Sequence, residues 1–322
     1  MLPPTSNVQV KLLATMLKTE SHWIRYSYSF AIALLLIVGV HASAQSKKTE
    51  VILLGTGTPY PDPKVSGPAT VVTVGSRVFL FDAGGGVMRR LNAAGLPISG
   101  PEAVFITHLH SDHTLGYADL ILTSWIMRRT APLEVYGPRG LRRMTRLLLA
   151  AYREDIDVRT RGLEREIAGG YRANVHEIKG GVVYDREGVK VTAIPVPHGI
   201  WKQAYAYRID TRDRSIVISG DTAPSEALVK ASQNVDVLVH EVYSAAHLAP
   251  ENRPGGEFWP QYMRTFHTSD HELGALAARI RPGLLVLTHI IRFGATDQEM
   301  LEAIRAGGFS GTVMVGRELE HY

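Results

Sequence analysis

The sequence predicts a two-sheet sandwich clothed in helices, of the α/β (α+β) class and folded as a single domain. Three observations predict it: a hairpin early in the chain, strands that later alternate with helices, and polar residues recurring where apolar strands open into loops. Val51-Ile-Leu-Leu, running into Gly55-Thr-Gly-Thr-Pro, reads as a buried strand ended by a Gly/Pro turn. Strands over 69–74 and 77–82 follow, joined by the two-residue turn Gly75-Ser76. A further apolar strand over 104–107 leads directly into a histidine cluster. Apolar residues at helical spacing mark helices over 115–129 and 141–152. Strands then recur over 133–136, 189–194, 204–209, 215–219, 235–239 and 284–288. Helices are predicted over 225–232, 270–279 and 297–306, with Asp270 and Asp297 as N-caps and Gly307-Gly308 ending the last.

Composition narrows the chemistry. The chain has 322 residues, of which 45% are hydrophobic and 20% charged, an ordinary globular balance. It has no cysteine, which removes disulfides, iron–sulfur clusters, thiol nucleophiles and thiolate metal sites. Any metal must be held by imidazole and carboxylate. The apolar run of 11 residues, FAIALLLIVGV at 30–40, is too short to span a bilayer, which takes about 20. Lys11, Lys18 and Arg25 precede it and Ala42-Ser43-Ala44 follows, the pattern of a secretory signal peptide over 1–44. The expected mature chain is 45–322, periplasmic or secreted, with no stable membrane anchor. The formal charge of +4 falls to +2 once the leader's three bases and one acid are removed, and no block of like charge marks a nucleic-acid footprint.

Thr107-His108-Leu109-His110-Ser111-Asp112-His113 places four metal-ligand side chains within six positions at a strand end. A chain leaving a strand can curl so that His108 and His110 face one cation while Asp112 and His113 face a second; zinc accepts both donor types. His198, Asp221 and His289 are further polar residues at the ends of apolar strands. His176, His247, His271 and His321 read as ordinary surface or structural histidines.

Together with Leu54-Gly-Thr-Gly-Thr-Pro, Phe81-Asp82-Ala-Gly, Ser219-Gly-Asp-Thr, His240-Glu241, His267-Thr-Ser and Leu287-Thr-His, these residues resemble a metallo-β-lactamase-fold hydrolase. The similarity is to the ribonuclease Z-like and arylsulfatase-like branch, and it covers 51–316. It implies a four-layer αββα sandwich with two zinc ions at one edge. By position, His108, His110 and His198 would bind the first ion, and Asp112, His113 and His289 the second. Asp221 would bridge them, Asp82 would orient the cluster, and His240 would support the fold. The resemblance also implies a water acidified toward pKa ~7 by the two ions. Asp112 would orient it, and Glu241 with His267 would relay protons.

For the substrate, the sequence points away from RNA. His198 and Asp221 are 23 positions apart, too close to admit the tRNA-clamping arm that the resemblance would supply. Export and weak net charge speak the same way. Lactam hydrolases of this fold need a Cys ligand or lack a bridging carboxylate, glyoxalase-type thioesterases lack the Leu54 and His267 signatures, and oxygen-reducing diiron relatives carry Glu where His110 stands. The expected function is an exported dinuclear zinc hydrolase of a small-molecule ester: a phosphodiester, an aryl sulfate ester or a lactone. Trp125, Trp201, Phe258, Trp259, Tyr262 and Phe266 would form an apolar wall for an aromatic or hydrophobic leaving group, with Lys202 or Arg264 meeting an anionic head group. The alternatives are a tRNA 3′-processing endonuclease and a non-catalytic, metal-binding signal sensor. A homodimer follows from the resemblance alone. N-terminal sequencing of exported protein is expected to begin near Gln45; a first residue well before it would remove the signal-peptide assignment.

Overall fold

The computed structural model describes residues 48–162 and 169–322. The predicted leader lies outside them. No helix among the described residues is long and apolar enough to cross a membrane. Two sheets form the frame. The first holds β1 (Thr49–Gly55), β2 (Ala69–Val74), β3 (Arg77–Phe81), β4 (Ala103–Phe105), β5 (Leu133–Gly137) and β6 (Ala173–Glu177), in that spatial order. The second runs from β13 (Val313–Val315) through β12 (Leu284–Ile291), β11 (Val237–Tyr243), β10 (Ser215–Ile218), β9 (Tyr205–Asp210) and β8 (Val189–Pro195) to β7 (Gly181–Arg186). Each sheet starts antiparallel and turns parallel: β3, β4, β5 and β6 in one, β10, β11, β12 and β13 in the other.

Three apolar layers make this a four-layer αββα sandwich. Between the sheets lie Val51, Phe81, Phe105, Tyr207, Val239 and Val286, all buried. Phe105 stacks on Phe81 and Tyr136 at centroid distances of 5.0 and 5.1 Å. The outer face of the first sheet packs on α1 (Val87–Ala93), α3 (Tyr117–Ile126) and α4 (Leu141–Ala151), through Leu91, Leu120 and Leu141. The outer face of the second packs on α6 (Glu226–Ala231), α8 (Asp270–Ile280) and α9 (Asp297–Ala306), through Leu228, Leu276 and Ile304.

Several boundaries move from their expected places. The helix expected over 115–129 forms as the shorter α3, and a separate turn, α2 (Ser111–Thr114), precedes it. The caps of α8 and α9 are Ser269 and Thr296, one residue before the expected aspartates. Each accepts from the N–H three residues on, while Glu272 or Glu299 reaches back to complete a capping box. Asp270 and Asp297 instead supply first-turn negative charge at the helix's positive end. Strand β11 runs to Tyr243, so His240 and Glu241 lie within a strand. The edge strands β6 and β7, and helices α5 (Arg153–Arg161) and α7 (Trp259–Phe266), are additions to the expected elements.

The inter-sheet layer sets a stability test. Phe105→Ala removes a fully buried ring from a five-ring cluster and is expected to cost about 3–5 kcal/mol in urea unfolding. Phe258→Ala, at a residue 62% exposed, is expected to stay within about 0.5 kcal/mol. Equal effects would contradict this packing.

Candidate metal centre

The chain ends of β3, β4, β8, β10 and β12 meet at one rim. Just past β3, Asp82 adopts a left-handed backbone (φ 60°), and its buried carboxylate turns toward the loop after β4. Asp82 Oδ1 accepts from Thr107 N at 2.8 Å, and Oδ2 from Thr107 Oγ1 at 2.8 Å and His113 Nδ1 at 2.8 Å. One carboxylate therefore shapes the loop that carries His108, His110, Asp112 and His113. His289 enters by a different device. The β11–β12 register slips between Glu241 and Val242, leaving His289 as the bulged residue at φ 45°, its ring re-aimed at the rim.

The seven residues expected as ligands come together, and six of them are buried, His110 being half-buried. His110 Nδ1 lies 2.9 Å from His108 Nε2 and 3.1 Å from His198 Nε2. Around a second point, Asp112 Oδ2 is 3.2 Å from His289 Nε2 and 3.6 Å from His113 Nε2. Asp221 Oδ2 stands between the two groups, 3.9 Å from His108 Nε2, 3.3 Å from His113 Nε2 and 3.5 Å from His289 Nε2. A tetrahedral ion with donor bonds of 2.0–2.1 Å has donor–donor edges of about 3.4 Å, close to these separations. His113 Nε2 and Asp221 Oδ1 are buried without a hydrogen-bond partner. Buried polar atoms are ordinarily satisfied, so the donor set fits divalent cations on chemistry and spacing together.

The electrostatics favour a bare ring nitrogen at the first group, while at the second a cation would displace a proton. Burial disfavours a charged His113 ring, but the Asp221 and Asp82 carboxylates prevail and raise its pKa well above the usual histidine range. Burial holds the His198 ring down at about 4, against the pull of Asp221, and pushes His108 well below the usual histidine range with help from His113. Burial likewise lowers His110. Neutral imidazole, the form a cation binds, is thus favoured at all three. Asp221 stays ionised: burial opposes its charge, but the His289 and His113 rings outweigh it and hold the carboxyl well below the usual range.

Beside this group, Glu241 Oε1 accepts from Thr222 N, Thr268 N and His267 Nδ1, the last at 3.2 Å. Burial disfavours a charged His267 ring, yet the Glu241 carboxylate prevails and raises its pKa. His267 Nδ1 is 3.9 Å from Asp221 Oδ2, so the expected proton relay does border the ligand cluster. His240 is fully buried and hydrogen-bonds the Glu241 carbonyl through Nδ1, as a fold-supporting residue would.

The expected aromatic wall is partly corrected. Trp125 is fully buried under α3 with Ile156 and Tyr171, because its helix turns that face onto α5. Phe258 points to solvent and Arg264 is exposed. Tyr262 and Phe266 stack at 4.2 Å; Tyr262 borders two clefts, and Phe266 the one on the His110 side. The cleft on the His110 side has a volume of 1010 Å³ and includes Trp201, Arg139, Arg143 and Lys202. None of those three cations forms an ion pair among the described residues. Its one acid, Glu177, is spent accepting from Gly140 N and Arg142 N at the start of α4. Of these cations the sequence singles out Lys202 alone; Arg139 and Arg143 escape it because they lie far from Lys202 in the chain, with no local run of charge to signal them.

A family profile described as "Beta-lactamase superfamily domain" matches residues 77–290, and the chain belongs to that metallo-hydrolase superfamily. Within it the chain belongs with the ribonucleases Z. It is 35% identical to the ribonuclease Z of Mycobacterium bovis over 268 residues, 81% of this chain and 93% of that one. Identity to the ribonuclease Z of Mycolicibacterium paratuberculosis is 36%, with the same coverage. Human tRNase Z, short form, superposes with a TM-score of 0.64 at 22% identity, over 85% of this chain and 98% of that one, a likeness of fold. The protein is accordingly a metal-dependent hydrolase.

These relatives overturn the expected small-molecule ester substrate and the expected absence of a nucleic-acid partner. The physical reasons are plain. The alignment runs through 93% of a ribonuclease Z, so the likeness extends over nearly the whole of that protein and outweighs an argument from one spacing. Net charge averages over the whole surface and conceals the local cation cluster. The export argument rests on residues outside those described.

Loading is open to direct test. Zinc at a thousand times its dissociation constant is expected to add about 4 kcal/mol of stability, seen as a raised Tm that chelator reverses. Asp221→Asn is expected to lose most of that shift; an unchanged shift would remove Asp221 from the metal centre.

Proposed function

We propose that this protein is a tRNA 3′-processing endonuclease that hydrolyses a phosphodiester bond of precursor RNA with two zinc ions. The observation that carries this reading is sequence identity of 35% maintained across 93% of a ribonuclease Z. His108, His110 and His198 would hold one ion and Asp112, His113 and His289 the other, with the Asp221 carboxylate available to both groups. When bound, the ion pair supplies Lewis acidity to the phosphate and a water of near-neutral pKa.

The chain's own residues do the rest. Once that water has given a proton to solvent, Asp112 accepts a hydrogen bond from the remaining hydroxyl and orients it toward phosphorus. As the new phosphorus–oxygen bond forms, the opposite one breaks, and the leaving oxygen takes a proton from His267. Glu241 fixes the His267 ring through Nδ1 and favours its charged form, which keeps that proton available. Arg139, Arg143 and Lys202 bind flanking phosphates at the cleft mouth, where unpaired cations act at long range on a polyanion.

Zinc-replete protein is expected to cleave a tRNA precursor near the 3′ end of its acceptor stem, resolved on a sequencing gel. Arg139→Ala with Arg143→Ala is expected to weaken RNA binding and to reduce the slope of log affinity against log salt by about 2, with little change in kcat. His267→Ala is expected to lower kcat by roughly 10²–10⁴-fold. No cleavage of any RNA by metal-loaded protein would overturn the proposal.

A further inference from the structure

The hydrogen-bond partners of the metal-centre histidines divide unevenly. An imidazole that ligates through one nitrogen carries its proton on the other, and that N–H needs an acceptor. Three rings satisfy this rule. His198 Nδ1 faces the Phe266 carbonyl at 2.7 Å. His113 Nδ1 faces the Asp82 carboxylate at 2.8 Å. His108 Nδ1 faces Thr107 Oγ1 at 2.9 Å, a hydroxyl whose own proton is directed at Asp82, so it accepts. His289, whose Nε2 faces Asp112, has a buried Nδ1 with no acceptor among the described residues, and His110 departs from the rule in the opposite sense, by receiving a donor. The Nδ1 of His110 points at the nitrogens of His108 and His198, while its Nε2 receives the indole N–H of Trp201 at 2.8 Å.

Indole N–H is only a donor. Trp201 therefore requires a bare Nε2 on His110, which places the ring's proton on Nδ1, in the middle of the three converging nitrogens. A cation there requires the opposite tautomer, with Nδ1 bare and a proton on Nε2. Two donors would then meet head-on at 2.8 Å. The hydrogen bond and the ligated state exclude each other.

We propose that Trp201 is a latch on the metal centre: its indole holds His110 in the tautomer that cannot bind a cation, and loading expels the indole. In that exchange a proton leaves Nδ1 and one is taken up at Nε2 through solvent, so net protonation is unchanged. There is room for the movement. Trp201 is half-buried, it borders the 1010 Å³ cleft, and its neighbour Ile200 is 91% exposed on the same loop. The inference rests on the ligand assignment of the preceding subsection.

Metal-free full-length protein titrated with Co(II) and with Zn(II) tests it, reading Co(II) absorbance for binding and tryptophan emission for the latch. The wild type is expected to change emission with the first equivalent bound. Trp201→Phe, which keeps Trp23, Trp125 and Trp259, is expected to lose that change and to bind the first equivalent about tenfold more tightly, the order of one hydrogen bond. Trp201→Gln, able to offer a carbonyl to Nε2–H, is expected to bind more tightly as well. Cobalt uptake without an emission change, or weaker binding by both variants, would overturn the latch and leave the ligand assignment standing. Absence of cobalt uptake by the wild type would overturn the ligand assignment, and the latch with it.

Discussion

Asp82 carries more of this architecture than any ligand does. Its carboxylate sits just past β3 and takes three hydrogen bonds from the loop that follows β4. Without that acceptor, Thr107 N and His113 Nδ1 would be left unsatisfied in a buried site, each at a cost of about 1–3 kcal/mol. With it, the end of one strand dictates the path of the loop after the next, and four ligand-type side chains inherit a common direction. The arrangement also selects a tautomer, since His113 Nδ1–H must point at Asp82 and Nε2 is left for the centre.

Backbone strain gathers around the same rim. Asp82 and His289 have positive φ despite carrying side chains, and Gly199 and Gly220 beside His198 and Asp221 do so as well. Gly199 has a further reason to be glycine: a Cβ there would fall 2.0 Å from Phe266 Cζ. Phe266 is thereby seated over His198 while its carbonyl accepts a hydrogen bond from the Nδ1–H of that ring. Such conformations cost of order 1–3 kcal/mol each for residues other than glycine, and they persist because two packed sheets over-determine them. The interlocked aromatic core between the sheets is what supports the strain at their edge.

How much could be read from the chain depended on how local the signal was. His108-Leu-His-Ser-Asp-His was legible because ligand chemistry is concentrated within six positions after an apolar strand. Asp270 and Asp297 were misplaced by one residue because Ser-Asp and Thr-Asp both offer capping oxygens, and only the reciprocal glutamates three positions on decide which acts. Strand β6, Ala173–Glu177, carries a single buried side chain and so lacks the apolar alternation that marks a strand. Trp125 read as a site residue from its nearness in sequence to the histidines, yet helix α3 turns it onto α5. The bulge that aims His289 leaves no trace in composition at all.

Substrate class was the least legible property, for a reason that applies to any surface assembled from distant segments. Long-range steering depends on the potential inside a cleft, where low-dielectric walls focus the field, and hardly on the net charge of the whole chain. Arg139 and Arg143 come from the start of α4 and Lys202 from the loop after β8, so they neighbour each other only after both sheets have formed. The one nearby carboxylate is turned inward to serve the helix N-terminus, which leaves the cleft cationic although the sequence carries only a small excess of bases. Tyr262, stacked on Phe266, borders both this cationic cleft and the second cleft, which reaches His267. On the function proposed above, a strand crossing Tyr262 would have its phosphates held on one side and its leaving oxygen presented to His267 on the other.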